Sequence, residues 1–315
     1  MNDAAAFVDE AVRKIREQVP GRAIIAASGG IDSTAAAVLV EKALGERARA
    51  IFVDTGLLRA GEVERVGEFF RASGLRYEVV PAAEQFFRAL DGVTEPEEKR
   101  RRIGAAFIRL FEVEAARFET DRLVQGTIAP DWIESGGSIR DTIKTHHNVG
   151  GVPTDSKLVL VEPLRDLYKD EVRTLAHHLG IPNADRQPFP GPGLAVRVNG
   201  LVTPERVRRA RVANAVVEEE VERAVAAGRL ARPWQFFAVL LPARTVGVTG
   251  DNRVYGEAVS VRIVESIDAM TATAMDVPRS ILKAIAERIT RELSGEVVRV
   301  LYDITDKPPA TIEWE

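Results

Sequence analysis

The stretch AIIAASGGIDST, residues 23–34, decides the fold of this chain. Five apolar residues, 23–27, lie between Pro20-Gly21 and Ser28-Gly29-Gly30, and residues 33–44 that follow have a helical composition. Short apolar runs bounded by Gly or Pro are typical of buried strands. The stretch therefore predicts a strand, a glycine turn and a helix that begins directly after the turn.

Further apolar runs repeat this pattern along the first half of the chain. We expect strands at residues 50–53, 77–80, 123–125 and 158–161, and helices at residues 62–72 and 169–179. Strands that alternate with helices favour the α/β class, with a parallel sheet covered by helices on both faces. Ligands of such sheets bind at the carboxyl ends of the strands, where the glycine turn lies.

The length of 315 residues is comfortable for two domains. The segment RQPFPGPG, residues 186–193, is dense in Pro and Gly and indicates a hinge, so we expect domains at 1–188 and 189–315. The second is expected to be a smaller α+β domain. Its predicted helices are at 204–227 and 280–293, and its strands at 236–241, 258–264 and 297–302. Residues 132–156 are rich in Gly, Ser, Thr and His, which indicates a lid at about 131–157.

The composition excludes several classes of function. A net charge of −4 disfavours a general nucleic-acid-binding surface. The absence of Cys excludes disulfides, thiolate metal sites and a cysteine nucleophile in this chain. We find neither a signal peptide nor an apolar stretch of about 18 residues that could span a membrane. These features predict a cytoplasmic enzyme or binding protein.

The glycine turn has the chemistry of a phosphate site. Glycines let a ligand approach the backbone closely, and the start of the helix offers N–H groups and the positive end of the helix dipole. Ser28, Ser33 and Thr34 add hydroxyl donors. Asp32 would repel phosphate unless a Mg²⁺ ion bridged its carboxylate and pyrophosphate oxygens. An ordinary strand-to-helix turn with a serine cap is the alternative, and the complete heptapeptide favours the phosphate site.

The heptapeptide has neither the lysine of a Walker A loop nor the GxGxxG pattern, and SGGIDS resembles the PP-loop of the N-type ATP pyrophosphatases. More specifically, the chain resembles the GMP synthetase family from about residue 23 to residue 315. The segments that carry this resemblance are VDTGLLR (53–59), QGTIAPD (125–131), IKTHHNVGG (143–151), the hinge (186–194) and DKPPATIEWE (306–315). It implies an adenine nucleotide alpha hydrolase-like PP-loop domain followed by a dimerisation domain.

The resemblance also implies site residues. Those that hold ATP are Ser28, Gly29, Gly30, Ile31, Asp32, Ser33 and Thr34, with Asp32 near Mg²⁺ and with Asp54 and Gly126 at strand ends around the nucleotide. The residues implied to be catalytic lie in the lid and are Asp131, Glu134 and Lys144. Contacts to XMP fall to Arg100, Arg299, Lys307, Ile312 and Glu313, and Arg100 is one of four adjacent cations.

The implied reaction is the conversion of XMP to GMP. A substrate oxygen attacks the α-phosphorus of ATP, pyrophosphate leaves, and ammonia then displaces AMP. In many members a glutamine amidotransferase domain with a Cys nucleophile supplies the ammonia. Because this chain has no Cys and its PP-loop begins at Ser28, either free ammonia is the donor or a separate glutaminase subunit supplies it in trans, and we expect the second. From the resemblance we also expect a homodimer formed by the second domain.

Other readings remain open at this level. The chain could be another PP-loop enzyme that acts on a different substrate, or a non-catalytic nucleotide-binding module. Without the resemblance, Asp131 and Glu134 could be a charge pair at a helix start and Lys144 a solvated loop residue. His146-His147 could suggest a metal site, but adjacent residues rarely converge on one ion, so we reject it.

Overall fold

The computed structural model describes residues 4–130, 156–182, 187–267 and 269–315. Their contacts divide the chain into two compact units. The first unit contains residues 1–55, 61–89 and 100–185, and the second contains residues 56–60, 90–99 and 186–315. Both units are therefore built from separate stretches of the chain. The domain boundary at residue 188 stays a prediction.

The first unit alternates strands and helices. Its described strands are Ala23–Ala26 (β1), Ala48–Asp54 (β2), Tyr77–Pro81 (β3), Arg122–Val124 (β4) and Val159–Val161 (β5). Its described helices are Ala4–Gln18 (α1), Ile31–Leu44 (α2), Glu62–Ala72 (α3), Ala83–Ala89 (α4), Pro96–Arg117 (α5) and Lys169–His178 (α6), and the first four residues of α5 belong to the second unit. The expected strands and helices of this half are confirmed to within a few residues.

The five strands form one parallel sheet in the order β3-β2-β1-β4-β5. The chain builds the sheet outward from β1 through β2 to β3 and then returns to the other side of β1 with β4. The strand order thus reverses between β1 and β4. A crevice forms at the carboxyl ends of two such strands because their connections leave in opposite directions. The glycine turn follows β1 directly, so the topology places it at this crevice.

Helix α2 is buried along most of its length, which makes it a rigid support for the turn that precedes it. Ser33 to Val40 are all buried, and so are Ala43 and Leu44. The helix contacts α1 and α6. A helix that is apolar on all sides packs inside a protein rather than on its surface.

The second unit has a mixed sheet. Its strands are Gln235–Thr249 (β6), Asn252–Glu265 (β7), Thr273–Ala274 (β8) and Val297–Tyr302 (β9), and its helices after the hinge are Pro204–Ala226 (α7) and Arg279–Glu292 (α8). Strand β7 pairs antiparallel with β6 and β8 and parallel with β9. The α+β prediction is confirmed. The expected strands 236–241 and 258–264 are the inner parts of a longer hairpin that turns at residues 250–251.

None of the helices in the described ranges is long and apolar enough to cross a membrane.

Candidate active site

The glycine turn between β1 and α2 has the geometry of an open helix start. Gly29 has a φ of +80°, in the left-handed region that favours glycine. Gly30 caps α2 without a side-chain hydrogen bond, so the cap residue itself does not occupy the amides of the first helical turn. Ser28 and Gly30 are exposed, and Ile31 and Asp32 are half-buried. The turn therefore presents backbone amides and a hydroxyl to an incoming anion.

Ser33 holds the turn in shape. Its Oγ accepts a hydrogen bond from the backbone N–H of Ser28 at 3.1 Å, donates to the carbonyl of Gly30 at 3.1 Å, and lies 3.0 Å from Ser28 Oγ. Thr34 Oγ1 donates to the same carbonyl at 2.8 Å. These hydroxyls are thus parts of the loop itself, and the exposed Ser28 is the hydroxyl best placed to meet a ligand.

Gly126 brings the end of β4 against the start of α2. A Cβ built on Gly126 would lie 2.7 Å from both Cα and N of Ser33 and 2.9 Å from the carbonyl carbon of Asp32. These neighbours are backbone atoms that cannot rotate away. The close approach therefore requires glycine at 126, and the structure brings Gly126 into contact with the start of α2.

Two polar residues lie at the carboxyl edge of the sheet, Thr127 directly after Gly126 and Asp54 at the end of β2. Thr127 is buried, and its Oγ1 has no hydrogen-bond partner within the part of the chain that the structure describes. A buried hydroxyl normally has a partner, so this atom is a candidate for binding a ligand group. Asp54 ends β2, the neighbour of β1 in the sheet, and is half-buried.

The three predicted catalytic residues, Asp131, Glu134 and Lys144, lie outside the described residues, and so does the expected lid except for residues 156–157.

The residues predicted to contact XMP lie in both units. Arg100 is half-buried on α5 in the first unit. The others are in the second unit. Arg299 is exposed on β9, and Lys307 donates from Nζ to the carbonyl of Ala269 at 2.9 Å. The backbone of Lys307 also pairs with that of Ala272.

The last residues of the chain are held firmly in the second unit. Ile312 is buried in a core cluster with Phe237, Val239, Val264 and Ala272. Glu313 accepts two hydrogen bonds from the Arg197 guanidinium, at 3.1 and 2.8 Å, and one from Gln235 at 2.8 Å. Terminal residues are usually poorly ordered unless they are tied down. This segment is tied down by these contacts.

A second buried arginine fixes the backbone of the same segment. Arg262 is fully buried on β7 and donates to the carbonyls of Thr305, Thr311 and Ile312, at 2.5, 3.1 and 3.4 Å. It also pairs with Asp303 at 3.2 Å, which in turn accepts from Trp314 Nε1 at 3.0 Å. One guanidinium therefore binds three backbone carbonyls of the terminal segment.

A buried ion pair completes the anchoring. The Lys99 ammonium is fully buried against the side chain of Glu315 and donates to the carbonyl of Val198 at 2.8 Å. Burial lowers the pKa of Lys99 below its ordinary value, and the hydrogen bond and charge of Glu315 act in the opposite direction.

Sequence reasoning missed Lys99, Arg197 and Arg262, because a charged residue normally faces solvent. For two of these residues, the sequence pattern did contain a sign of burial. Arg197 interrupts the apolar run 194–198, and Arg262 lies inside the apolar run 258–264. A lone arginine within a buried run indicates a buried cation with a structural partner.

Comparison with known proteins gives consistent matches along the whole chain. The profile of the family described as GMP synthase C terminal domain matches residues 222–314. The B subunit of the glutamine-hydrolysing GMP synthase of Pyrococcus horikoshii is 60% identical over 317 residues, covering 99% of this chain and 100% of that protein. The proteins of the same name from Methanopyrus kandleri and Thermoplasma acidophilum are 56% and 54% identical, with 100% and 99% of each chain covered.

Proposed function

The chain belongs to the family of glutamine-hydrolysing GMP synthase B subunits, and we propose that it is the ATP-dependent ligase that converts XMP to GMP. The observation that carries this proposal is similarity over the full length to proteins of that name. The open glycine turn at the β1–β4 crevice supports it, because that is where an α/β sheet of this order binds a nucleotide.

The proposed reaction has two steps. The oxygen on C2 of XMP attacks the α-phosphorus of ATP, the bond to the β-phosphate oxygen breaks, and pyrophosphate leaves. The lone pair of ammonia then attacks C2, AMP leaves with the oxygen, and the nitrogen loses a proton to give GMP. The protein must therefore hold pyrophosphate as a leaving group and exclude water from the adenylylated intermediate.

The pyrophosphate of ATP is assigned to the turn Ser28 to Thr34. Amides at the start of α2 and the exposed Ser28 hydroxyl supply donors, and the dipole of α2 favours the charge that develops on the leaving group. Gly126 and Thr127 form the adjoining wall. The buried Thr127 hydroxyl is a donor that ATP could engage. Asp54 is proposed to lie beside the nucleotide on the β2 side.

Asp32 fits a magnesium role. Mg²⁺ in nucleotide sites binds one or two carboxylates together with phosphate oxygens, and no group of three or more acidic or histidine side chains in the described ranges is arranged to hold a metal ion by itself. Asp32 is the second residue of α2, whose start is suited to bind phosphate. A magnesium site of this kind needs a carboxylate next to the phosphate oxygens. Mg²⁺ neutralises pyrophosphate charge when bound.

Calorimetry should show that Mg²⁺ tightens ATP binding to the wild type but not to Asp32→Asn. Equal Mg²⁺ dependence in both proteins would refute the assignment.

Asp131, Glu134 and Lys144 are proposed to act in adenylylation, on the resemblance alone. Lys144→Leu should then prevent formation of adenylyl-XMP while ATP still binds, as a rapid-quench experiment with labelled ATP would measure. Normal intermediate formation in this variant would remove Lys144 from the mechanism.

Recognition of XMP is assigned to residues of the second unit, and the role of Arg100 stays a prediction. Lys307 and Arg299 supply positive charge for a monophosphate. Ile312 and Glu313 lie in the anchored terminal segment, which offers a fixed carboxylate to the base. The alternative function is a nucleotide-binding module without activity. Such a module would release no pyrophosphate from ATP when XMP and ammonium are present, whereas the ligase would release it.

Ammonia is proposed to come from a separate glutaminase subunit, because the chain has no cysteine to hydrolyse glutamine by that chemistry. The purified chain should release pyrophosphate and form GMP with ATP, XMP and ammonium, and should form no GMP with glutamine until the glutaminase is added. No product with ammonium would refute the ligase proposal. Product from glutamine without a second protein would refute only the two-subunit arrangement.

A homodimer through the second unit is also proposed. The β6–β7 hairpin exposes Val246, Val248 and Tyr255, which are 49%, 75% and 61% exposed. Val246 pairs with Tyr255 across the hairpin, so these side chains share one face. Light scattering should give a dimer at micromolar concentration, and Val248→Asp should weaken it. A wild-type monomer at that concentration would contradict the proposal. Cytoplasmic location stays a prediction.

A further inference from the structure

The segment 195–200 and the end of the chain are joined at two points in the second unit. Arg197 of this segment binds Glu313, while Lys99 binds the Glu315 side chain and the carbonyls of Val198 and Ala195, at 2.8 and 3.5 Å. The backbone N–H of Gly200 also donates to Glu315 at 3.1 Å. The same short segment therefore clamps the terminal residues on both sides of Trp314.

Each of the three guanidinium nitrogens of Arg197 already donates a hydrogen bond. Its Nε and Nη2 bind the two oxygens of Glu313, and its Nη1 donates to Asn214 Oδ1 at 3.0 Å. The guanidinium carbon lies 4.2 and 5.2 Å from the ring centroids of Phe237 and Phe189. Arg197 is fully buried, whereas its partner Glu313 is partly exposed, so the route from Arg197 to a ligand runs through Glu313.

Asn214 is as fixed as the arginine. Its Nδ2 donates to the carbonyls of Ala210 and Ala238, both at 2.8 Å, and its Oδ1 accepts from the backbone N–H of Ala238. The arginine is therefore held by a residue that is itself bound to α7 and β6. The Glu313 carboxylate can adopt one orientation only, because its two oxygens face a planar fork of fixed geometry.

Glu313 nevertheless keeps room for a ligand. A carboxylate offers about four acceptor positions, and Arg197 and Gln235 use three of them. The side chain remains 20% exposed, whereas its arginine partner is 0% exposed. The remaining acceptor position suits a planar N–H donor, such as the ring nitrogen of a purine base.

We propose that Arg197 is a positioning residue for substrate recognition, which sets the Glu313 carboxylate to accept a hydrogen bond from the N–H edge of the base, while Lys99 holds the end of the same segment in place. This inference rests on the proposed function. It adds that discrimination between bases depends on a residue that the substrate never contacts.

The test compares variants of the full chain in the ammonium-dependent assay. Arg197→Met should raise the KM for XMP at least tenfold and leave the KM for ATP within twofold. Arg197→Lys should not restore the wild-type KM for XMP, because an ammonium keeps the charge but cannot bind both carboxylate oxygens in one plane. Arg288→Met is the matched control: Arg288 binds Glu219, Glu220 and Glu292 in the same unit, and its loss should leave both KM values unchanged.

A double variant separates positioning from general damage. If Arg197 acts through Glu313, adding Arg197→Met to Glu313→Gln should change the KM for XMP by less than twofold. Hydrogen exchange of residues 306–315, measured without substrate, should be faster in Arg197→Met and in Lys99→Met than in wild type or Arg288→Met. This readout reports the clamp without requiring activity.

The outcomes distinguish the two proposals. A wild type that makes no GMP refutes the proposed function. A wild type that makes GMP, with an Arg197→Met variant that has an unchanged KM for XMP, refutes the positioning role alone. Equal increases in the KM for XMP and ATP, or additive effects in the double variant, also refute it.

Discussion

Gly126→Ala tests whether the close contact between β4 and α2 creates the phosphate site. The new Cβ would lie 2.7 Å from Ser33 N and Cα, where ordinary contact begins at 3.4 Å, so one backbone must move by about 0.7 Å. Overpacking of a well-packed site costs about 1–3 kcal/mol. A loss of about 2 kcal/mol lowers the unfolding midpoint of a unit of this size by about 4–8 °C.

The same displacement should weaken ATP binding. A hydrogen bond at about 2.9 Å that lengthens by 0.7 Å is effectively lost. One hydrogen bond to a charged group contributes about 1.5–3 kcal/mol, so the Kd for ATP should rise about 10- to 100-fold. Differential scanning calorimetry and titration calorimetry with ATP measure the two effects separately.

Gly21→Ala is the matched control. Gly21 lies in the same unit just before β1, its Cβ would meet nothing within 4 Å, and its φ is not positive. This change should leave ATP affinity unaltered and raise stability by up to about 1 kcal/mol through the unfolded state. A Gly126→Ala variant that binds ATP like the wild type would refute the role of the contact. An equal loss of affinity in Gly21→Ala would show that the assay reports general damage.

Three further predictions concern titration and burial in the second unit. Hydrogen bonds from two arginines of α7 hold the pKa of Glu296 below its ordinary value. The ionised Glu296 therefore contributes its full stabilisation above about pH 4.3, and this stabilisation is lost as the pH falls through the lowered pKa. Urea unfolding of Glu296→Gln should therefore depend less on acid pH than that of wild type. Burial raises the pKa of Tyr302 to about 12, so its contribution should disappear between about pH 10 and 12, and phenolate absorbance compared with Tyr302→Phe should show the late titration. Lys99→Met should cost about 3–5 kcal/mol by leaving the Glu315 carboxylate buried without a cation, and Lys99→Met with Glu315→Leu should recover most of that loss in the same unfolding experiment.

The sequence was sufficient to predict most strands and helices, because their apolar runs are short, complete and bounded by Gly or Pro. The outer half of the β6–β7 hairpin escaped prediction. Its residues 242–257 are more polar and partly exposed, so they lack the buried pattern that marked 236–241 and 258–264. Pairing within a hairpin, rather than burial, makes these residues strands.

Prediction of the candidate site was similarly uneven. The turn from Ser28 to Thr34 is formed by consecutive residues, so the residue types and their order were enough to predict a phosphate-binding turn there. The contact of Gly126 with Ser33 depends on the strand order β2-β1-β4, which no periodicity encodes. The clamp from Arg197 to Glu313 joins residues 116 positions apart, and a buried cation resembles a surface one until its partner is known.

The buried pair of Lys99 and Glu315 also bears on how the chain is synthesised. Its members are 216 residues apart, and the second unit gathers residues 56–60 and 90–99 from within the other unit's sequence. Contacts this distant form late, since a long loop must close before they can contribute. On the ribosome, the early stretches must wait without native partners until residue 315 has emerged, and a charged residue such as Lys99 keeps the waiting stretch hydrated. Ribosome-stalled chains that stop at residue 312 should accordingly remain sensitive to proteases at residues 90–99, and protection at that stage would contradict this order of events.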